Sequence, residues 1–436
     1  MLGLAALYVG VPYAPLATAY SLVSSDHGKL RNIAALLKPG AVFADDGATY
    51  GPAITAIART GLHVINARNG SENALSFEAL LQSDPAPAAT ARAGLGPDTV
   101  AKYLFTSSST GAPKAVINTN GMIFALQAMV RDCYRFLTHQ PPVVLDWAPW
   151  NHTAAGNKVF YLVLTNGGTY YIDDGRPVAG KFDRTLENLR NISCTWYFKV
   201  PVGFDLLVDA LARTLFADLG MLFYAGAAML QRTWERLAAI GRATTGHEVL
   251  LATGLGATET APFALACTDV QNAPGNIGVP ALGLTLKLVP SDGKWEARIK
   301  GPSVMPGYYG DAARTTEVFD AEGFYCLGDA LRPSDPDDFT KGFFRWPTGR
   351  ESQTQHRHVG LCRGDARAAG GCDGRTDPRC GDRGRERGAV GRAVVANQAC
   401  CPRCRFTRQV AGLCRDSHRI SQPHHARGPP APRALP

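Results

Sequence analysis

The chain is 436 residues long, 45% hydrophobic and 19% charged. That composition excludes a wholly disordered or fibrous protein and leaves room for two or three domains. No uncharged run of about 18 apolar residues occurs, so no membrane-spanning helix is expected. The apolar start MLGLAALYVGVPYAP has no basic n-region and no cleavage site of the secretory kind, which predicts a cytoplasmic protein.

The formal net charge of +8 hides a break in the chain. Residues 351–436 hold 16 Arg, no Lys and 7 acidic residues, a net +9, while the first 350 residues come to −1. Seven of the 11 Cys lie in that tail, and only 10 of its 86 residues are Leu, Ile, Val or Phe. So few apolar side chains cannot offset the entropy of ordering a chain, and a disordered tail is predicted.

Before the tail, apolar β-rich runs alternate with helical patterns. VAKYLFT (100–106) predicts a buried strand entering a loop, and Thr119 to Arg135 a helix with Ile123, Leu126, Ala128 and Met129 on its buried face. GGTYYID (167–173) predicts a strand, ENLRNIS a helix and TWYFKV a strand. FDLLVDALARTL (204–215) then predicts a helix, followed by the strands MLFYAG (221–226) and EVLLATGLG (248–256). Strands separated by helices point to parallel βαβ units with chemistry at the strand ends. From about Gly275, short strands and Gly/Pro-rich turns predict a small β subdomain.

The sharpest local feature is TSSSTGAPK. Thr106, Ser107, Ser108, Ser109 and Thr110 precede Gly111, and Lys114 follows. Hydroxyls and free backbone N–H groups can wrap phosphate oxygens, and a Lys adds charge. GxxxxGK[ST] is absent, so this is not a Walker loop. The plain alternative is a solvated Ser/Thr linker.

The run YLFTSSSTGAPKAVINTN resembles the signature loop of the acyl-adenylate-forming (AMP-binding) enzymes, which include acyl-CoA synthetases and luciferases. YAGAAM (224–229), ATGLGATET (252–260) and GFYCLGDA (323–330) resemble three further segments of that family, in its order. APWNHTAAGN (148–157) and TWYFKVPVGFDLLVDAL (195–211) are most similar to feruloyl-CoA synthase. The resemblance implies an α/β fold: a large N-terminal domain of the acyl-CoA synthetase type over residues 1–344, with parallel βαβ sheets and a small β subdomain. It implies ATP, Mg²⁺ and coenzyme A as partners of an aromatic, hydroxycinnamic-type acid, which is activated to acyl-AMP and then to acyl-CoA.

Residue by residue, the resemblance gives Thr106 to Gly111 and Lys114 to the phosphates, Thr258 to the α-phosphate and Glu259 to Mg²⁺. It gives Thr253 and Gly254 to the nucleotide loop, Gly226, Ala227 and Ala228 to the adenine, and Asp329 to the ribose hydroxyls. His152 falls at the acyl-pocket entrance, and Tyr197, Phe198, Val200 and Phe204 could wall a flat acid. Without the resemblance, Glu259 would be a surface carboxylate and Asp329 a turn residue. Residues 226–228 would be a close packing site, His152 a structural hydrogen-bonder and the aromatics core. Two departures stand out: Ser108 replaces a frequent Gly, and Leu255 replaces an aromatic that stacks on adenine.

Both ends depart from the family. The resemblance begins about a hundred residues into the family's large domain, so a truncated first lobe is expected. Residues 345–436 stand where a small mobile domain with a catalytic Lys would follow. The codons permitted by Phe344-Arg345-Trp346-Pro347-Thr348 can spell Phe-Asp-Gly-Arg one base out of register, which predicts a frameshift near Phe343. A competing reading takes Cys401, Cys404, Cys414 and His418 as zinc ligands and the 16 Arg as a nucleic-acid surface. Another reading takes the chain as a non-catalytic nucleotide-binding remnant.

Overall fold

The computed structural model describes residues 1–106, 113–178, 180–210, 212–291, 294–346 and 393–396. Its organising element is a parallel sheet of Trp196–Lys199, Met221–Tyr224 and Leu250–Ala252, in register Trp196↔Met221↔Leu250. All four residues of each of the first two strands are buried, as expected of strands covered on both faces. The helices Pro201–Ala210, Ala212–Phe216 and Gln231–Thr245 make the crossovers. The last of these ends on Gly246 at φ 77°, a left-handed cap that glycine adopts without penalty. Strand direction brings Val200, Gly226 and Thr253 to the same carboxyl edge, where ligands of open α/β sheets bind.

Alternation along Trp196–Lys199 divides the interior. Trp196 and Phe198 enter one core cluster with Tyr134, Phe223 and Phe263. Tyr197 enters a second with Phe204, Leu207 and Leu237. The helix predicted at Thr119 to Arg135 is Asn120–Cys133, with Thr119 Oγ1 capping the Met122 N–H and Met122, Ile123, Leu126, Met129 and Val130 buried.

The loop after Thr106 does not reach the helix at Asn120 directly. It joins antiparallel strands Val100–Thr106 and Lys114–Thr119, with Thr106 opposite Lys114. The β-branched pair Val116-Ile117 favours the extended form, and the helix waits for the cap at Thr119. Elsewhere, parallel strands Ala41–Asp46, His63–Arg68 and Leu75–Ser76 form a sheet near the amino end. The β subdomain is a five-stranded antiparallel sheet in the order Phe343–Trp346, Tyr325–Pro333, Lys294–Lys300, Thr285–Ser291, Ala393–Ala396. Of the tail beyond Trp346, only Ala393–Ala396 is described, paired with Thr285–Leu288. Cys401, Cys404, Cys414 and His418 lie outside the described residues. No helix among the described residues is long and apolar enough to cross a membrane.

Four lysines are buried among the described residues: Lys102, Lys158, Lys199 and Lys287. Lys102 donates to the Gly156 carbonyl at 3.0 Å and lies 4.9 Å from the Tyr161 ring centre. Burial pulls its pKa down to about 7. Between pH 7 and the ordinary lysine range the unfolded chain holds a proton there that the folded chain lacks, so stability rises with pH across that window. The wild type is expected to gain about 2 kcal/mol more than Lys102→Met between pH 8 and 9.5. Urea denaturation at those two pH values checks this, and parallel curves for the two proteins would refute it.

Candidate active site

The hairpin opens the site. Thr106 ends its first strand with its hydroxyl buried and with no hydrogen-bond partner among the described residues. Unpaired buried hydroxyls are costly, so a polar ligand at the strand end suits this one. Ser107, Ser108, Ser109, Thr110 and Gly111 lie outside the described residues. Across the hairpin, Lys114 turns towards Glu259, 145 residues on, and its Nζ donates to Glu259 Oε1 at 3.4 Å and to the Tyr308 hydroxyl at 3.2 Å. The Tyr308 hydroxyl itself donates to Glu259 Oε1 at 2.8 Å. A cavity of about 280 Å³ opens beside Lys114, bordered by Asn32, Phe105, Tyr309 and Arg314.

Glu259 sits in the 3₁₀ turn Thr258–Thr260, only 5% exposed. The turn is held by Thr260 Oγ1, which accepts from the Ala257 N–H at 2.9 Å, and by the Met305 N–H, which donates to the Glu259 carbonyl at 2.8 Å. Thr258 is half-buried beside it. Among the described residues, every hydrogen bond to the Glu259 carboxylate reaches Oε1, and no group of three metal-ligating side chains forms. One carboxylate with a spare oxygen fits Mg²⁺, which commonly takes one or two carboxylates and completes its shell with phosphate and water.

Two of the segments that the resemblance gives to the nucleotide, residues 226–228 and 253–254, lie at the carboxyl edge of the parallel sheet. Gly226 adopts φ 86°, a left-handed conformation that side chains disfavour, and with Ala227 and Ala228 it is exposed. Thr253 spends its hydroxyl on the Tyr224 carbonyl at 2.8 Å, binding the two strand ends together. Gly254 passes so close to Leu265 that a Cβ would lie 2.4 Å from its carbonyl oxygen. Thr253 and Gly254 therefore shape the loop. Leu255, where the resemblance has an aromatic over adenine, is buried in the core cluster. Asp329, on Tyr325–Pro333, is held by an ion pair: Arg345 Nε donates to its Oδ1 at 2.5 Å.

The four wall residues divide. Val200 Cγ1 stands 3.5 Å from where a Cβ on Gly226 would be, while Phe198 packs into the first core cluster against Phe223. Strand alternation turns Tyr197, and the helix Pro201–Ala210 carries Phe204, into the second core cluster, edge to face at 5.9 Å and fully buried. His152 lies exposed ahead of the π-helix Ala154–Val159. Its Nδ1 accepts from the Ala154 N–H at 3.4 Å, which places the ring proton on Nε2, and partial desolvation lowers its pKa. Its loop is anchored by Asp146, which accepts from Lys199 Nζ, the Tyr170 hydroxyl and the Ala148 N–H, each at 3.1 Å.

Sequence reasoning missed Tyr308, Lys199, Asp146 and Arg345. Their roles come from pairings between residues far apart in the chain, which no local motif announces.

Residues 1–309 match the family model of the AMP-binding enzyme. Among curated proteins, the carboxylic acid reductase of Mycobacterium marinum is 27% identical over 60% of this chain and 24% of its own length. The feruloyl-CoA synthase of an Amycolatopsis species is 28% identical over 54% of this chain and 47% of its own. The anthranilate–CoA ligase of Pseudomonas aeruginosa matches at the same 28%, over 52% and 43%, so the feruloyl branch is not singled out. The chain spans between a quarter and half the length of these relatives. In fold it is similar to ATP-bound MatB from Rhodopseudomonas palustris, with a TM-score of 0.58 and 22% identity over 79% of this chain and 66% of that one. The hairpin, the turn at Glu259 and the match over residues 1–309 agree: the chain belongs to the AMP-binding enzyme family.

Proposed function

We propose that this chain binds ATP and a carboxylic acid and serves the activation of that acid to acyl-AMP, the step that precedes transfer to coenzyme A. The observation that carries the reading is the convergence of Lys114, Glu259 and the Thr106 hydroxyl, which has no partner among the described residues, at the ends of the hairpin strands. Both reactants are anions, so charge must be neutralised before a carboxylate oxygen can attack the α-phosphorus and expel pyrophosphate. Lys114 supplies one positive charge, the loop hydroxyls and N–H groups donate hydrogen bonds, and Thr258 faces the α-phosphate. Mg²⁺, held by Glu259, would supply further neutralisation of phosphate charge. Gly226, Ala227 and Ala228 leave room for the adenine, Asp329 takes the ribose, and Phe198, Val200 and His152 border the acid. A hydroxycinnamic acid such as ferulate is the finer reading, supported by the Trp150-Asn151-His152 and Phe198–Val200 segments.

The reading is tested by calorimetry of ATP on the full chain. Lys114→Ala is expected to weaken binding severalfold through lost charge-assisted hydrogen bonds. Equal affinity in the wild type, Lys114→Ala and Asp329→Ala would end the assignment. A second reading, a nucleotide-binding protein with little turnover, is favoured by the Arg345 guanidinium seated on Asp329.

A further inference from the structure

Tyr308 is 4% exposed, and three strands of contact hold it. The Tyr309 N–H donates to the Ala115 carbonyl at 2.9 Å, the Ile117 N–H donates to the Gly307 carbonyl at 3.2 Å, and Val116 bridges Tyr308. Its own N–H is taken by Thr315 Oγ1 at 2.9 Å. Residues 305–309 thus run as an extra strap along Lys114–Thr119, and the same strap binds the Glu259 carbonyl through the Met305 N–H. From this support the Tyr308 hydroxyl reaches only one carboxylate oxygen, Glu259 Oε1 at 2.8 Å, and receives the Lys114 ammonium at 3.2 Å. Tyr325, 5% exposed and on the same strand as Asp329, interacts electrostatically with the Tyr308 phenol.

From this geometry we infer that Tyr308 is a positioning residue for Glu259. With Tyr325 behind it, Tyr308 pins Oε1 and presents Oε2 to the divalent cation carried by a nucleotide. A carboxylate left to rotate would chelate through either oxygen. The phenol O–H donates to Oε1 and so holds that oxygen in place.

The inference rests on the reading of Glu259 as the cation ligand, and its test separates the two. ATP affinity of the full chain is measured by calorimetry with excess Mg²⁺ and with EDTA. The ratio of the two affinities is the readout. Tyr308→Phe, which removes one oxygen and no volume of consequence, is expected to reduce that ratio about three- to tenfold, the worth of one hydrogen bond to a charged group. Tyr325→Phe reduces it less, and Glu259→Gln abolishes it. A Tyr308→Phe ratio equal to the wild type, with Glu259→Gln flat, overturns the positioning role alone. So does an equal fall in both affinities, which is what a merely structural role produces. A wild type whose ratio is unity, or a Glu259→Gln variant that keeps the full ratio, overturns the cation reading and this inference with it.

Discussion

Arg345→Ala is expected to raise the affinity of the full chain for AMP, while Asp329→Ala lowers it. The ribose diol can be taken by a carboxylate that accepts two hydrogen bonds, and in this structure one of those oxygens is engaged by Arg345. The Asp329 side chain is 15% exposed and that of Arg345 38%, so solvent screens the pair and its contribution is about 1 kcal/mol. Releasing it is expected to tighten AMP binding about three- to tenfold. Loss of the carboxylate removes charge-assisted bonds of about 1.5–3 kcal/mol, a tenfold to hundredfold weakening. Calorimetry at low and high salt decides the matter. The gain from Arg345→Ala should shrink as salt screens the wild-type pair. A variant that binds AMP no better than the wild type at low salt would show that Arg345 does not compete with the ribose.

Arg345 also marks where the sequence stops being informative by motif. The Gly-Asp segment of GFYCLGDA announces Asp329, because a ribose carboxylate after a glycine turn is a local pattern. Its partner lies on the neighbouring antiparallel strand, in the register Leu331↔Arg345, and only the sheet shows that pairing. The same holds inside the body. The order of strands and helices between residues 100 and 260 is legible from hydrophobic period, since each element carries its own pattern. The hairpin at Lys114–Thr119 was not legible, because a helix signal followed it within six residues and masked the short strand. Which core cluster Tyr197 and Phe198 each enter depends on strand phase. Composition names both as aromatic, and only the sheet assigns one to each core cluster. Tyr308 lies in a Gly/Pro-rich stretch that suggests turns, with nothing local to tie it to a carboxylate 49 residues earlier.

The Lys114–Glu259–Tyr308 cluster and the Asp146–Lys199 pair solve related electrostatic problems in different places. At the site mouth, Lys114 keeps 23% of its side chain exposed, so its charge can pass from Glu259 to an incoming phosphate at low cost. In the interior, the Lys199 and Asp146 side chains are 2% and 1% exposed, and each depends on the other.

Asp146→Ala is therefore expected to be the most destabilising single change in this region, about 3–5 kcal/mol, because it leaves a buried ammonium without its counter-charge. Burial lowers the Lys199 pKa and Asp146 opposes that fall, so removing Asp146 pushes it lower still. The folded variant then holds Lys199 neutral over a wider pH range than the wild type, while the unfolded chain keeps its proton up to the ordinary lysine range. Stability of Asp146→Ala should accordingly climb with pH, and its deficit against the wild type should be larger at pH 7 than at pH 9.5. The Tyr170 hydroxyl and the Ala148 N–H lose their acceptor in the same stroke, which loosens the loop that carries Trp150 and His152. A double variant, Asp146→Leu with Lys199→Met, removes both charges and is expected to recover most of the loss, since apolar replacement of a buried pair is often near neutral. Urea unfolding of the three proteins at the two pH values gives the result. A deficit under about 1 kcal/mol for Asp146→Ala, or one that does not shrink as pH rises, would show that Lys199 finds another partner or water in the folded chain.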